Sequence, residues 1–511
     1  MMNRKAHSVQ QENRETLGGA AVALVLAFVF SLIFYSCNTP LGAWIGSDNA
    51  MYLTMGTAMA KGAVPYSDIF DHKGPLLFLL QMIPQLFGDG YSTLAVFVQE
   101  VLFLWACLLV LARMARKLGV RAVVVQLIYL AVYAPLVDGG NLTEEYANLF
   151  TLLGLDVMLG VFGEGMDERM EKRLFAPAAF MGAMSMVCFL LRANNALPLV
   201  GAVGTLAVYL AFTKRWKGLG LCAAGYVLGC AAVAVPVAVW LYAQGALPDA
   251  IYGAFVHNMM YAETQGQSRM QMLLFETYGH HAKLAAAIAC LGAALCAVRT
   301  KRYALAMAMV AGAACGGFAG FISHKFYYHY LMLGVPMAAL GAAQILAFVR
   351  ERMPAQLKRL TAAAALVSLL ALAVTGVKVN MQREWDYLAY ETMTPDAVAL
   401  YEQVPKEDRD HFLAYRVEPK WYVATKALPC MRFYFLQEIL ADADPAVMDE
   451  IVEQFYADPP RWVVIFYNRA FGPPYDPRVQ EIFDTCYEFV DARGEYQLLK
   501  LKETPRETKS F

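Results

Sequence analysis

Charge is scarce in this chain: 17% of its 511 residues are Asp, Glu, Lys or Arg, against 59% apolar residues. A soluble globular chain carries about 25% charged and about 45–50% apolar residues, so an ordinary water-soluble protein is excluded. A basic surplus is lacking too. The 42 Lys and Arg residues are balanced by 43 Asp and Glu, for a net charge of -1, which speaks against nucleic acid as a partner. No Cys-x-x-Cys pair and no Cys/His cluster with zinc spacing occurs, so the motifs require no metal. Most of the ten cysteines lie inside apolar runs and read as small buried hydrophobes. Only Cys430 and Cys486 fall in a polar region, and spacing alone leaves their pairing open. Internal repeats and low-complexity tracts are absent, and 13% aromatic residues at this charge density exclude disorder.

What the chain has instead is long apolar runs. A span needs about 20 mostly apolar residues to cross the hydrocarbon core. Such runs lie near 17–37, 91–113, 121–137, 146–163, 174–191, 196–213, 218–243, 281–298, 303–322, 330–349 and 360–378, and the mean hydropathy is +0.42. The first run is too long for a signal peptide. The pattern predicts an all-α polytopic membrane protein of about 11 transmembrane helices. Beyond Arg383, charge and proline return. Strand-like runs at 411–417, 461–467 and 496–501 alternate there with helical ones at 433–440 and 446–456, which predicts a small C-terminal α/β soluble domain. The expected domains are 1–379 in the membrane and 380–511 outside it. Residues 74–88 are apolar but short and carry Pro75 and Pro84, so length favours a segment lying at the interface over a span.

Basic residues fix the orientation after residue 90. They crowd Arg113/Arg116/Lys117/Arg121, Lys214/Arg215/Lys217, Arg299/Lys301/Arg302 and Arg350/Arg352/Lys358/Arg359, whereas the opposite connections hold only Arg192, Arg269 and Lys325. The crowded side is therefore cytoplasmic. This puts residues 138–145, 244–280, 323–329 and the C-terminal domain on the extracytoplasmic face of a cell membrane. If 74–88 lies on the surface, the N-terminus is inside; if it crosses, Arg4, Lys5 and Arg14 fall on the wrong side.

The outer connections also concentrate the polar residues. The first runs Ser47-Asp48-Asn49-Ala50-Met51-Tyr52 and later Gly62-Ala63-Val64-Pro65-Tyr66-Ser67-Asp68-Ile69-Phe70-Asp71-His72-Lys73-Gly74-Pro75-Leu76, closing at Leu86-Phe87-Gly88. Others hold Asp138 with Glu144-Glu145, Arg192 with Asn194-Asn195, a long histidine-containing stretch from His257 to His281, and Ser323-His324-Lys325-Phe326-Tyr327-Tyr328-His329-Tyr330. Carboxylates, cations and aromatics gathered at one mouth suit an anionic, partly apolar ligand. The pattern Asp-Asn-x-x-Tyr, then Gly-x-x-Pro-Tyr-x-Asp-x-Phe-Asp-x-Lys-Gly-Pro-Leu, resembles the first outer loop of the GT-C glycosyltransferases, in the branch of aminoarabinose transferases and protein O-mannosyltransferases. The resemblance implies a catalytic aspartate in that loop, two juxtamembrane helices of which 74–88 is the second, and a polyprenyl-phosphate sugar donor. It departs at Asn49, where family members often carry Glu, and at Gly74, where they often carry Pro.

Each candidate has a functional and a structural reading. Transfer of a sugar from a lipid phosphate needs a base for the acceptor hydroxyl and cations for the departing phosphate. The resemblance assigns the base to Asp48 and a phosphate contact to Lys73; Asp48 also suits an N-cap of a helix over 49–60. Arg192 and Lys325 suit phosphate contacts or snorkelling cations. His72, His324 and His329 suit hydrogen-bond donors or interfacial packing. Glu144 and Glu145 suit a secondary acid or a site for a divalent cation, and equally suit helix-dipole compensation. Tyr328 suits stacking on a sugar or an aromatic belt. The expected activity is an inverting glycosyltransferase that requires no cofactor, with a glycan, lipid or protein as acceptor and membrane lipid around it. The rival is a transporter or flippase of a lipid-linked or anionic substrate. Glu100 is the main charge within the spans, and paired broken helices are lacking, which disfavours it.

Overall fold

A computed structural model of the chain describes residues 2–40, 45–88, 92–163, 168–263, 277–322, 327–466 and 476–503. Among the described residues, nine helices are long and apolar enough to cross a membrane. They coincide with nine of the expected runs. The other two runs form the shorter apolar helices Ala122–Leu136 and Phe175–Leu191. The chain is a multi-pass membrane protein with a helical body and a small sheet. The last long helix departs from expectation. Pro354–Tyr401 continues for 48 residues, about 72 Å at 1.5 Å per residue, against about 30 Å of hydrocarbon. The change of composition near 380 is thus no helix end, because Met381, Gln382, Arg383 and Glu384 propagate a helix about as well as Leu does, and the helix runs on through Pro395.

Contacts divide the chain into two compact units. The first comprises Met1–Leu41, Phe97–Ala238 and Gly266–Gln382; the second comprises Gly42–Val96, Val239–Gln265 and Arg383–Phe511. In the first, helices meet on small residues. A Cβ added to Gly182 would strike the Tyr226 carbonyl and one on Gly229 the Ala179 carbonyl, so Phe175–Leu191 and Trp216–Ala243 touch backbone to backbone. Within a bilayer, where apolar burial drives little association, such close approach supplies the packing energy.

The second unit is built on a four-stranded sheet. Its strands are β1 (Phe412–Tyr415), β2 (Trp462–Phe466), β3 (Tyr487–Arg493) and β4 (Tyr496–Leu501), in the order β1-β2-β4-β3. β1 pairs parallel with β2, and the other pairings are antiparallel. Three of the strands fall within the expected runs. β3 lies outside them, because an edge strand exposing Glu488, Phe489 and Val490 carries no apolar alternation. The expected helix over 433–440 starts later, at Gln437–Ala443. Leu436 stands in the left-handed region with φ 56°, where a helix cannot pass. Cys430 and Cys486 are both free thiols.

The loop that carries Asp48 and Lys73 belongs to this second unit. Ser47–Ala60 is buried from Asn49 through Met59, and it packs against the 11-residue helix Pro75–Gln85. The short apolar segment is thus helical over part of 74–88, with Pro75 at its first turn, where a missing N–H costs nothing. Gly56 makes the crossing possible, since a Cβ there would collide with the Gln81 carbonyl. Gly56→Leu is expected to destabilise the protein by about 1–3 kcal/mol, the usual cost of overpacking, read as a lowered melting temperature of the detergent-purified chain.

Candidate active site

In the second unit the loop between these two helices folds on itself. Asp68 N–H donates to the Val64 carbonyl at 2.9 Å, while the Asp68 carboxylate accepts from Val64 N–H at 2.7 Å. Tyr66, fully buried, takes a left-handed φ of 71° and donates its backbone N–H to the Ile69 carbonyl and its hydroxyl to the Lys73 carbonyl, at 2.8 and 2.7 Å. Burial, and after it the Asp71 charge, holds the Tyr66 phenol well above its ordinary pKa, so it stays a donor.

The turn delivers three consecutive ionisable side chains to the interior: Asp71, His72 and Lys73 are 3%, 4% and 6% exposed. Asp71 accepts from Lys73 N–H at 2.9 Å, the two-residue Asx geometry that suits a short acidic side chain at a turn. The Lys73 ammonium lies 3.1 Å from His72 Nε2. An ammonium has only donors, so Nε2 accepts and the His72 proton sits on Nδ1, which faces Asp71 at 3.5 Å. Lys73 Nζ also stands 5.8 Å from the centroid of the Tyr52 ring. Burial raises the Asp71 pKa, the Lys73 ammonium and N–H draw it back, and the charge of Asp48 adds to the rise. Asp48 and Lys73 therefore both act on Asp71, so two carboxylates and one ammonium share a single electrostatic neighbourhood.

Asp48 does not cap its helix. The N-cap is Gly46, without a side-chain hydrogen bond, and Asp48 stands half-buried in the first turn. There a carboxylate complements the helix dipole and keeps its oxygens for other partners. Asp71 is absent from the candidates that the sequence singles out. The signal that marks it is local: an acid two residues before a lysine, on a turn between two apolar helices.

In the first unit a second polar group forms. Arg192, at the end of Phe175–Leu191, donates to the Glu144 carboxylate and to the Tyr330 hydroxyl, both at 2.8 Å, and its guanidinium lies 4.2 Å from the Tyr330 ring centroid. Glu144 stands in the first turn of Thr143–Gly163 and is 1% exposed. Beside it, His329 approaches the Asp138 carboxylate at 3.3 Å and stacks on Tyr327. That hydrogen bond holds Asp138 below the usual carboxylate range. Glu145, one position on and thus about 100° around the helix, parts company with Glu144. It lies near Tyr35, Tyr133 and Glu100, where Asn38 donates to Glu100 at 3.1 Å. Tyr328 is half-buried next to this group, while His324 and Lys325 lie outside the described residues. Among the described residues, no three His, Cys, Asp or Glu side chains stand together as a metal site.

No protein-family model matches the chain, and no curated protein matches its sequence. Solved structures do match. ArnT from Cupriavidus metallidurans, an aminoarabinose transferase bound to undecaprenyl phosphate, superposes with a TM-score of 0.64 at 13% identity, over 96% of this chain and 99% of that one. The same protein in its apo state gives 0.59 at 13% identity, over 96% and 98%. An oligosaccharyltransferase from Archaeoglobus fulgidus, with zinc and sulfate, overlaps more loosely, at 0.47 and 14% identity over 87% and 68%. At these identities the likeness concerns the fold, and the fold is GT-C.

Two outcomes follow from the second group. Glu144→Ala leaves the Arg192 charge without its carboxylate and should cost about 3–5 kcal/mol, whereas the double change Glu144→Leu with Arg192→Met should recover most of it, as read by thermal unfolding. Asp138, with its folded pKa depressed, stabilises above the ordinary aspartate value of about 3.9 and loses that contribution as pH falls through the lower folded value. Asp138→Asn should therefore lower stability by about 0.5–1 kcal/mol at pH ~5, a small figure because the carboxylate is more than half exposed, and by nothing once both states are protonated.

Proposed function

We propose that this protein is a membrane glycosyltransferase that moves a sugar from a polyprenyl-phosphate donor to an acceptor hydroxyl at the extracytoplasmic face. The observation that carries the reading is the buried Asp71–His72–Lys73 turn beside Asp48, in a chain with the fold of ArnT, itself bound to undecaprenyl phosphate. The distribution of basic residues supports the orientation, with residues 380–511 outside.

In the proposed reaction the acceptor oxygen attacks the anomeric carbon on the face opposite the phosphate, inverting it. The new C–O bond forms as the bond to the phosphate oxygen breaks. Asp48 takes the acceptor proton, and polyprenyl phosphate departs with the bonding electron pair. Lys73 meets the negative charge that grows on that phosphate, the kind of preorganised electrostatic contribution that dominates such transfers. His72, accepting from the ammonium, and Asp71, accepting from the Lys73 backbone, keep the cation aimed and unhydrated. Arg192 and Lys325 are proposed as further phosphate cations, His324 and Tyr328 as donor contacts, and Glu144 or Glu145 as secondary acid. For Arg192 the bonds to Glu144 and Tyr330 supply the rigidity such a contact needs.

The test uses the full chain in lipid nanodiscs with a labelled undecaprenyl-phosphate sugar. Asp48→Asn should lower kcat by about 10²–10⁴ with binding of undecaprenyl phosphate retained, and Lys73→Ala should weaken that binding. Transfer retained by Asp48→Asn removes the aspartate as base. Failure of the wild type with every polyprenyl-phosphate sugar, joined to movement of a lipid-linked substrate across vesicles, favours a flippase instead.

A further inference from the structure

The turn that presents Lys73 is held by a residue far along the chain. Arg432 lies just before the aromatic pair Phe433 and Tyr434, and its side chain donates through Nε to the Tyr66 carbonyl at 2.6 Å. Its own carbonyl accepts from Phe70 N–H at 2.9 Å. The two bonds bracket residues 66–70 from the same partner. The guanidinium is itself fixed from the remaining directions. Nη1 reaches both oxygens of Glu450 at 2.9 Å, Nη2 lies 3.6 Å from Asp249, and the Phe70 and Phe433 ring centroids lie 5.4 and 5.0 Å away. Asp249 also accepts from the Ser67 hydroxyl at 2.7 Å, so the residue after Tyr66 is tied to the same cluster.

This arrangement answers a question the turn itself raises. A bulky residue such as Tyr66 resists φ 71°, and such a backbone persists only where its surroundings over-determine it. Hydrogen bonds within the turn account for the Tyr66 N–H, and Arg432 accounts for its carbonyl. From Tyr66 the constraint passes onward in one step, through the hydroxyl that donates to the Lys73 carbonyl. A lysine could replace the charge of Arg432 but not the planar fork that serves Tyr66, Glu450 and Asp249 together.

We propose that Arg432 is a positioning residue: through the Tyr66 carbonyl it sets the turn that aims Lys73, and thereby the affinity for the lipid phosphate. The part concerning lipid phosphate rests on the function proposed above; the part concerning the turn does not. The test compares the full-length wild type, Arg432→Lys, Lys73→Ala and the double variant in nanodiscs. Two readouts are taken: amide exchange over residues 64–73, and the Kd for undecaprenyl phosphate. Arg432→Lys should unfold within a few degrees of the wild type yet exchange at least about tenfold faster over 64–73. It should weaken undecaprenyl phosphate binding about tenfold when Lys73 is present and leave it unchanged in the Lys73→Ala background, the non-additivity expected of a residue acting through another. Unchanged exchange, or an equal loss of affinity in both backgrounds, overturns the proposal. A wild type that binds no polyprenyl phosphate overturns the proposed function, and exchange alone then decides whether Arg432 holds the turn. Should Arg432→Lys fail to fold, Glu450→Ala replaces it, loosening the guanidinium from a partly exposed partner; faster exchange over 64–73 is again expected, and unchanged exchange again refutes.

Discussion

A lysine ammonium kept out of bulk water is the constraint around which the second unit is arranged. Lys73 is 6% exposed, and a buried charge must be met by opposite charge and hydrogen bonds. It is met by its immediate neighbours: His72 accepts from the ammonium, and Asp71 supplies negative charge and binds the Lys73 N–H. The same loop places Tyr66 in the left-handed region and its hydroxyl on the Lys73 carbonyl. The helix pair Ser47–Ala60 and Pro75–Gln85 then closes on Gly56 to carry the turn at its end.

The first unit solves a related problem with different parts. Arg192 satisfies its charge with Glu144 and spreads it over the Tyr330 ring, while the neighbouring Glu145 turns to a cluster of tyrosines and Glu100. Two adjacent glutamates of identical chemistry thus take unlike environments because a helix separates consecutive side chains by about 100°. A cation engaged by a carboxylate and a phenol is also held in one geometry.

Much of this architecture is legible in the amino-acid sequence. Hydropathy locates the helical runs because a bilayer demands about 20 apolar residues in a row, and the loop residues Asp48 and Lys73 stand out because their spacing to Pro65, Tyr66 and Gly74 resembles a GT-C loop. The C-terminal strands are legible where both faces are buried, as in β1, and not where one edge is wet, as in β3. The break in composition near 380 suggests a helix end that the 48-residue helix Pro354–Tyr401 does not have, since Met381 to Glu384, where the change falls, are good helix formers despite their polarity.

Sequence alone determined the class of protein and the stretches that make its helices, since these follow from composition and periodicity, which are local properties. Tertiary structure decided which polar residues meet. That Arg192 meets Glu144 and Tyr330, that His329 meets Asp138, and that Arg432 braces a turn more than 350 residues earlier depend on contacts across long stretches of chain. No local pattern encodes such contacts, because a hydrogen bond between distant residues exists only once the rest of the chain has folded to bring them together.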